Sequence, residues 1–229
     1  MAYFHPIITQ NINPKNVNII FELGSRDCID AIKLQHYYNC VVYAFECNPD
    51  CVKMCKETLE NEKNDKVIFI ENAITETNGI VSFFPFDTTI YDNPGASSML
   101  KIDFTKRDPI DPDYMRGEVQ TEIKVIGTRL DTFLENNTIQ NIDMLCIDLQ
   151  GYELNAIKSL GDKLNNVKYI ITECSIDNTY IGGANFTELN NYLNKYNFFY
   201  KCSNTYGNQF PVLHKKGFSE FDALFVKNE

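Results

Sequence analysis

Short apolar runs that end in glycine or acidic residues, alternating with stretches of helical periodicity, constrain this chain more than any other feature. Residues 17–23 (VNIIFEL) form such a run, closed by Gly24, and 27–38 follow with apolar positions at Ile29, Ile32, Leu34 and Tyr37. The pattern repeats with a run at 40–46, a helix from Pro49 to about residue 62, and a run at 66–71. Pro49 suits a first helical turn, where its missing N–H leaves no bond unmade. The alternation resumes with helix 129–136, strand 142–148, helix 151–162, strand 167–173 and helix 186–195. Near-continuous apolar strands are covered on both faces, and strands that alternate with helices pair in parallel. The sequence therefore predicts a Rossmann-like, doubly wound, mostly parallel sheet in a three-layer α/β/α domain. Runs at 197–203 and 223–227 have no helix between them and predict an antiparallel edge.

The rhythm breaks between residues 74 and 127. Strand-like runs at 80–86 and 122–128 flank a stretch rich in Asp, Pro, Gly and Ser, including DNPGASS and RDPIDPDYMRGE. That composition is too polar and turn-rich for a core helix, and 87–120 reads as a lid-like insertion over an acceptor site. With 229 residues, 44% of them hydrophobic, the chain is expected to form one domain, 1–229, with 1–16 as an N-terminal extension.

In a doubly wound sheet, ligands bind beyond the carboxyl ends of the strands, where the strand order reverses. Those ends are unusually polar here: FELGSRDC, AFECNP, IENAI, CIDLQGYE and ITECS. Gly24 removes a side chain from the first turn, where a ligand would approach closely. Glu46 follows it by 22 residues, at the end of the second strand, the place of an acid that accepts hydrogen bonds from a ribose diol. A dinucleotide site wants three glycines around a pyrophosphate, but Gly24 is followed by Ser25, Arg26, Asp27 and Cys28. Asp27 near a helix start would repel phosphate, whereas a cofactor bearing an ammonium and no phosphate tolerates it. The bland alternative is that Glu22 and Asp27 only cap a helix and Glu46 is solvated.

Cys47, Cys51 and Cys55 are spaced by four but lack the CxxC pairing of zinc sites. They read as small buried hydrophobes, and the eight cysteines as reduced thiols. The net charge of −10 disfavours a phosphate-backbone partner, so no nucleic acid is expected. No signal-like leader or 18-residue apolar span is readable, giving an expectation of a cytoplasmic protein without a membrane segment.

The strings FELGSRD, AFECNP, ENAI, GASSML, TRLDTF and IDMLCIDLQGYELNAIKSLG, in this order, resemble the FkbM-type methyltransferase family over about residues 19–226. The resemblance implies a class I methyltransferase fold and methyl transfer from S-adenosylmethionine, usually to a hydroxyl, often on a sugar or natural product. It would place Glu22 and Gly24 by the methionine end and Glu46 by the ribose, with Ser25 and Cys47 also among the cofactor-binding residues. Asn72 and Ala73 would lie by the adenine, and Ser97 and Ser98 in a loop near the cofactor. Asp148 would sit under the methionine amino group or the reacting centre. The chain departs from the family's Asp-x-Gly-Ala-Asn-x-Gly, since Glu22 replaces the Asp and Cys28 the second glycine. Cys146 stands where Lys is common, and Gln150 where Glu is common. The last change removes one carboxylate from a pair with Asp148 that could hold a divalent metal, so no metal ligands are assigned.

Methyl transfer to a hydroxyl needs in-line positioning and removal of a proton. Asp148, Glu173 and His214 are the candidate bases, against readings of Asp148 as a helix cap, Glu173 as a structural acid and His214 as an exposed turn residue. Tyr91, Tyr114, Tyr152, Tyr180 and Tyr206 are candidates for stacking on a sugar ring. The acceptor is expected to be a glycan or small molecule. A peptide or other non-sugar acceptor, and a binding module that has lost turnover, are the alternatives; oligomeric state is not readable.

Overall fold

The computed structural model of the chain describes residues 3–89, 93–103, 119–177, 179–211 and 220–228. A one-turn helix, α1 (Pro6–Thr9), opens the fold. The first half continues through β1 (Ile19–Leu23), α2 (Ile29–Tyr38), β2 (Val41–Phe45), α3 (Pro49–Glu62) and β3 (Val67–Ile70). Three strands follow outside this rhythm: β4 (Ala73–Ile74), β5 (Gly79–Phe83) and β6 (Ile123–Thr128). The second half runs α4 (Leu130–Asn136), β7 (Met144–Ile147), α5 (Glu153–Lys158), β8 (Tyr169–Ser175), α6 (Phe186–Asn194), β9 (Phe198–Ser203) and β10 (Glu220–Lys227).

Seven strands form one sheet in the order β3-β2-β1-β7-β8-β10-β9. β1 pairs in parallel with both β2 and β7, whereas β10 pairs antiparallel with β8 and β9. The expected antiparallel pair therefore lies at the sheet's edge, with β10 inserted between β8 and β9. Alternation along β1 divides the core. Phe21 and Leu23 join the cluster under α4, α5 and α6, which includes Phe133, Leu154 and Leu193. Ile20 joins the opposite cluster with Ile8, Ile32 and Leu34 from α1 and α2. Successive side chains of a strand point to opposite faces, so one five-residue strand holds both layers. No helix among the described residues is long and apolar enough to cross a membrane.

Local chemistry explains several boundaries. Asn48 caps α3 by accepting from Asp50 N, and Asn185 with Glu188 closes a capping box on α6. The first expected helix begins at Ile29 rather than residue 27, because Arg26 and Cys28 take left-handed backbone angles, with φ of 52° and 60°. The expected helix at 151–162 is shorter: it ends at Lys158, and a 3₁₀ helix follows from Gly161 to Asn166.

The extension at 1–16 is part of the body where it is described. Cys202 Sγ donates to Ile7 O, and Tyr3 is 1% exposed. Of the insertion at 87–120, residues 90–92 and 104–118 lie outside the described residues. Its flanks form a second sheet, β4-β6-β5, and a small core of Phe86, Ala96, Ile102, Val119 and Tyr180.

Candidate active site

The strand order reverses between β1 and β7. A cavity of about 390 Å³ opens at those tips, a volume within the ordinary ligand-pocket range. Of the residues expected to bind a cofactor, Gly24, Glu46, Cys47, Asn72, Ala73 and Asp148 line it. Ile74, Phe83 and Met99 add apolar wall beside Asn72.

Gly24 has φ +87°, and a Cβ there would lie 1.9 Å from the Asp148 carbonyl oxygen. Sequence reasoning assigns this glycine to the close approach of a ligand; the contact that demands it is the neighbouring strand's backbone. Glu46 is held by three amides. Its Oε1 accepts from Cys47 N at 2.7 Å and Asn48 N at 2.8 Å, and its Oε2 accepts from Arg26 N at 2.9 Å. Burial raises the Glu46 pKa, and these amides oppose the rise by stabilising the charged form. A carboxylate has about four acceptor positions, so one remains on Oε2 for a ligand hydroxyl.

Glu22 and Ser25 do not line this cavity. They line an adjoining pocket of about 60 Å³ with Tyr3, Asp27, Asp30 and Asp148. Ser25 Oγ donates to Glu22 Oε2 at 2.6 Å. Burial pushes the Glu22 carboxyl up to about 8, the Ser25 hydrogen bond lowers it, and the nearby Asp30, Asp27 and Asp148 raise it. Ser98 lies behind the wall: its Oγ donates to Gln150 O at 2.8 Å and accepts from Leu100 N at 3.0 Å. The neighbouring Ser97 lines the cavity, and its Oγ accepts from Phe86 N and Asn48 Nδ2. Asn48 was not singled out in the sequence, although its place before Pro49 marks it as a helix cap. It ties α3 to the insertion.

Beyond β7 the chain makes a left-handed turn, with φ +53° at Gln150 and +93° at Gly151. A Cβ at Gly151 would meet Tyr180 Cβ at 2.9 Å and the edge of its ring at 3.0 Å. The turn swings the Gln150 side chain between two of the candidate bases. Its Nε2 donates to Asp148 Oδ1 at 2.8 Å and Glu173 Oε2 at 2.9 Å. The Tyr180 hydroxyl is shared between Ala96 O at 2.8 Å and Gln150 Oε1 at 3.0 Å. Glu153 Oε1 accepts from Leu149 N and Gly151 N, which fixes the turn from below.

The crevice is acidic. Removal from water pushes Asp148 up to about 6, opposed by the Gln150 hydrogen bond, and Glu153 up to about 7. Glu173 is raised well above the usual carboxylate range, by burial first and then by Asp148, Glu153, Glu220 and Asp222. Asp148 and Glu173 are thus brought together, although Glu173 faces a separate small crevice with Thr179, Tyr180 and Glu220. His214, Tyr91 and Tyr114 lie outside the described residues. Tyr180 and Tyr206, offered as stacking platforms, are only 3% and 6% exposed and pack in cores instead. Tyr152 is half-buried beside the turn. Cys51 and Cys55 are buried in α3, as expected, and Cys47 and Cys51 both line the cavity.

Three comparisons bear on this arrangement. The 2-O-methyltransferase NoeI of Sinorhizobium fredii is 26% identical over 169 residues, covering 72% of this chain and 66% of that protein, just under two thirds of its length. The solved structure of M. capricolum TrmK in complex with S-adenosylhomocysteine superimposes with a TM-score of 0.51 at 12% identity, over 96% of this chain and 66% of that one. The METTL16 methyltransferase domain superimposes with a TM-score of 0.50 at 11% identity, over 99% of this chain and 65% of that one. At such identities the two structures establish the fold, that of class I methyltransferases. The sequence model described as the methyltransferase FkbM domain matches residues 15–200, and the chain belongs to that family of S-adenosylmethionine-dependent methyltransferases.

Proposed function

We propose that the cavity at the β1–β7 switch point holds S-adenosylmethionine, and that the protein methylates a hydroxyl of a sugar, glycan or related small molecule. The observation that carries this reading is Glu46, fixed at the tip of β2 by three amides with one acceptor position to spare. An acid so placed suits a ribose diol, and Ile74 and Phe83 suit an adenine. The acidic pocket around Glu22 and Asp148 suits the ammonium end and is hostile to phosphate. A non-phosphorylated, cationic cofactor therefore fits this donor set. Hydroxyl transfer is supported by the 2-O-methyltransferase name of the relative from S. fredii.

When bound, the cofactor supplies an electrophilic methyl group on a sulfonium. The chain's part is to hold donor and acceptor in line, exclude water, and take the acceptor's proton. Of the candidate bases described, Asp148 is the one that lines the cavity. Its pKa of about 6 keeps it ionised at neutral pH yet basic enough to accept a proton as the O–C bond forms and the C–S bond breaks. The net negative charge argues for an uncharged polyol acceptor over a nucleic acid.

Titration calorimetry with S-adenosylmethionine, S-adenosylhomocysteine and, as control, NAD tests the cofactor assignment. Binding of the first two that is lost in Glu46→Ala is the expected result. Binding of NAD, or of nothing, overturns it. Incubation with labelled cofactor and a panel of free sugars and oligosaccharides then tests the acceptor class. Cofactor retained but never consumed would mark a binding module.

A further inference from the structure

We propose that Gln150 is a positioning residue that yokes Asp148 to Glu173, its single amide nitrogen tying one oxygen of each carboxylate and leaving the second Asp148 oxygen free for cofactor and acceptor. This rests on the reading of the cavity as a cofactor site. An amide nitrogen carries two hydrogens, and the two contacts at 2.8 and 2.9 Å use both. The orientation of the amide is set by its neighbours. Ionised Asp148 can only accept, so nitrogen faces it, and Oε1 faces the Tyr180 hydroxyl at 3.0 Å. Among the described residues, neither the other Asp148 oxygen nor the other Glu173 oxygen accepts a hydrogen bond.

The family's pattern has Glu at this position, and here that would put three carboxyl groups within hydrogen-bonding distance. Like charges at that separation cannot all ionise without a shared proton or a cation. The amide solves the same geometry with a neutral donor. The environment makes the donor matter: Glu22 from β1, Glu173 from β8, Glu153 from α5, and Glu220 and Asp222 from β10 all face Asp148, and each disfavours its charged form to the extent that it ionises. Tyr3 lines the same pocket, and among the described residues the guanidinium of Arg26, paired with Asp27, is a cation at its rim. Gln150 thus keeps Asp148 anionic at a pH where its neighbours would otherwise protonate it.

The test is the pH dependence of cofactor affinity, measured calorimetrically from pH 5 to 8.5 for the wild type, Gln150→Met and Gln150→Glu. S-adenosylmethionine and S-adenosylhomocysteine serve as paired probes: both carry the ammonium that an ionised Asp148 attracts, and the former adds the sulfonium charge. The wild type should lose affinity for both ligands as pH falls through about 6, more steeply for the sulfonium ligand. A hydrogen bond to a charged group is strong enough to hold a pKa down by roughly one unit or more, so both variants should move that loss upward by about that much. Near pH 6.5 their affinity for S-adenosylmethionine should fall on the order of fivefold, with convergence to wild type at pH 8.5. Unchanged affinity at pH 8.5 shows that the variants fold. A profile that stays in place in both variants, or a uniform loss at every pH, overturns the proposal. Absence of binding by the wild type at every pH overturns the cofactor reading instead.

Discussion

The buried carboxyls at the strand tips set a stability profile opposite to that of most proteins in the range pH 5–8. Glu22 is 2% exposed, and its carboxyl is pushed from an ordinary 4.5 up to about 8, while Glu153 rises to about 7 and Asp148 to about 6. A carboxyl whose folded pKa lies above its unfolded one binds more protons when folded, so raising the pH between those values destabilises the fold. The penalty is absent below about pH 4.5 and complete above about pH 8. The carboxyls that are lowered, among them Asp131 by Arg129 and Asp143 by Lys168, act near and below their ordinary values of 3.8 to 4.5, below this window. At about 1.4 kcal/mol per pKa unit, Glu22 alone removes up to about 3.5 kcal/mol between pH 5 and pH 8. With a urea slope of about 2.5 kcal/mol per molar for a chain of this size, the midpoint should fall by about 1.4 M. Urea unfolding of the ligand-free protein, followed by circular dichroism at pH 5 and pH 8, measures this directly. Glu22→Gln keeps an acceptor for the Ser25 hydroxyl without a charge, and should abolish most of the difference. A wild-type midpoint equal or higher at pH 8, or a slope untouched in the Gln variant, would refute the reasoning.

Two further predictions concern the tip of β1. Gly24→Ala should cost at least about 3 kcal/mol, since it combines left-handed strain with a Cβ pressed onto the Asp148 carbonyl, and a denaturation loss under 1 kcal/mol would show that the strands part easily. Cys28 occupies a left-handed position, so Cys28→Gly should be more stable than Cys28→Ala by about 1 kcal/mol in the same assay, the reverse of their order within a helix. Equal stability of the two would mean that the turn relaxes.

The frame of the molecule is written locally, and so it can be read. β1, β7 and β8 coincide with apolar runs because their side chains are covered on both faces, the runs of β2 and the half-exposed β3 extend the same sheet, and the polar tips stand out against them. Glu46 is legible for the same reason. What stays hidden depends on partners distant in the chain. Tyr3 reaches the acidic pocket from an extension with no local signal for burial. Ser97 and Ser98 are indistinguishable as letters, but Ser97 has extended backbone angles, so neighbours turn to opposite sides and only one meets the cavity. The insertion of β10 between β8 and β9 is likewise decided by pairing across the sheet, which no periodicity encodes.

The chemistry of the site lies in two turns that pattern reading sees only as loops. At the end of β1, left-handed angles at Arg26 turn its amide toward Glu46 and so orient the acid. At the end of β7, a left-handed Gln150 sends its side chain back between Asp148 and Glu173. Non-glycine residues held at positive φ cost about 1 kcal/mol or more each, and persist where surrounding contacts over-determine them. Here those contacts are identifiable: Gly24 against the Asp148 carbonyl, Gly151 against Tyr180, and the Ser98 hydroxyl on the Gln150 carbonyl. The two turns are locked to each other through the Gly24–Asp148 contact. A backbone change at Gly24 therefore reaches both the acid that would hold the ribose and the acid that would take the proton, whereas replacing the Gln150 side chain removes only its hydrogen bonds to Asp148, Glu173 and Tyr180.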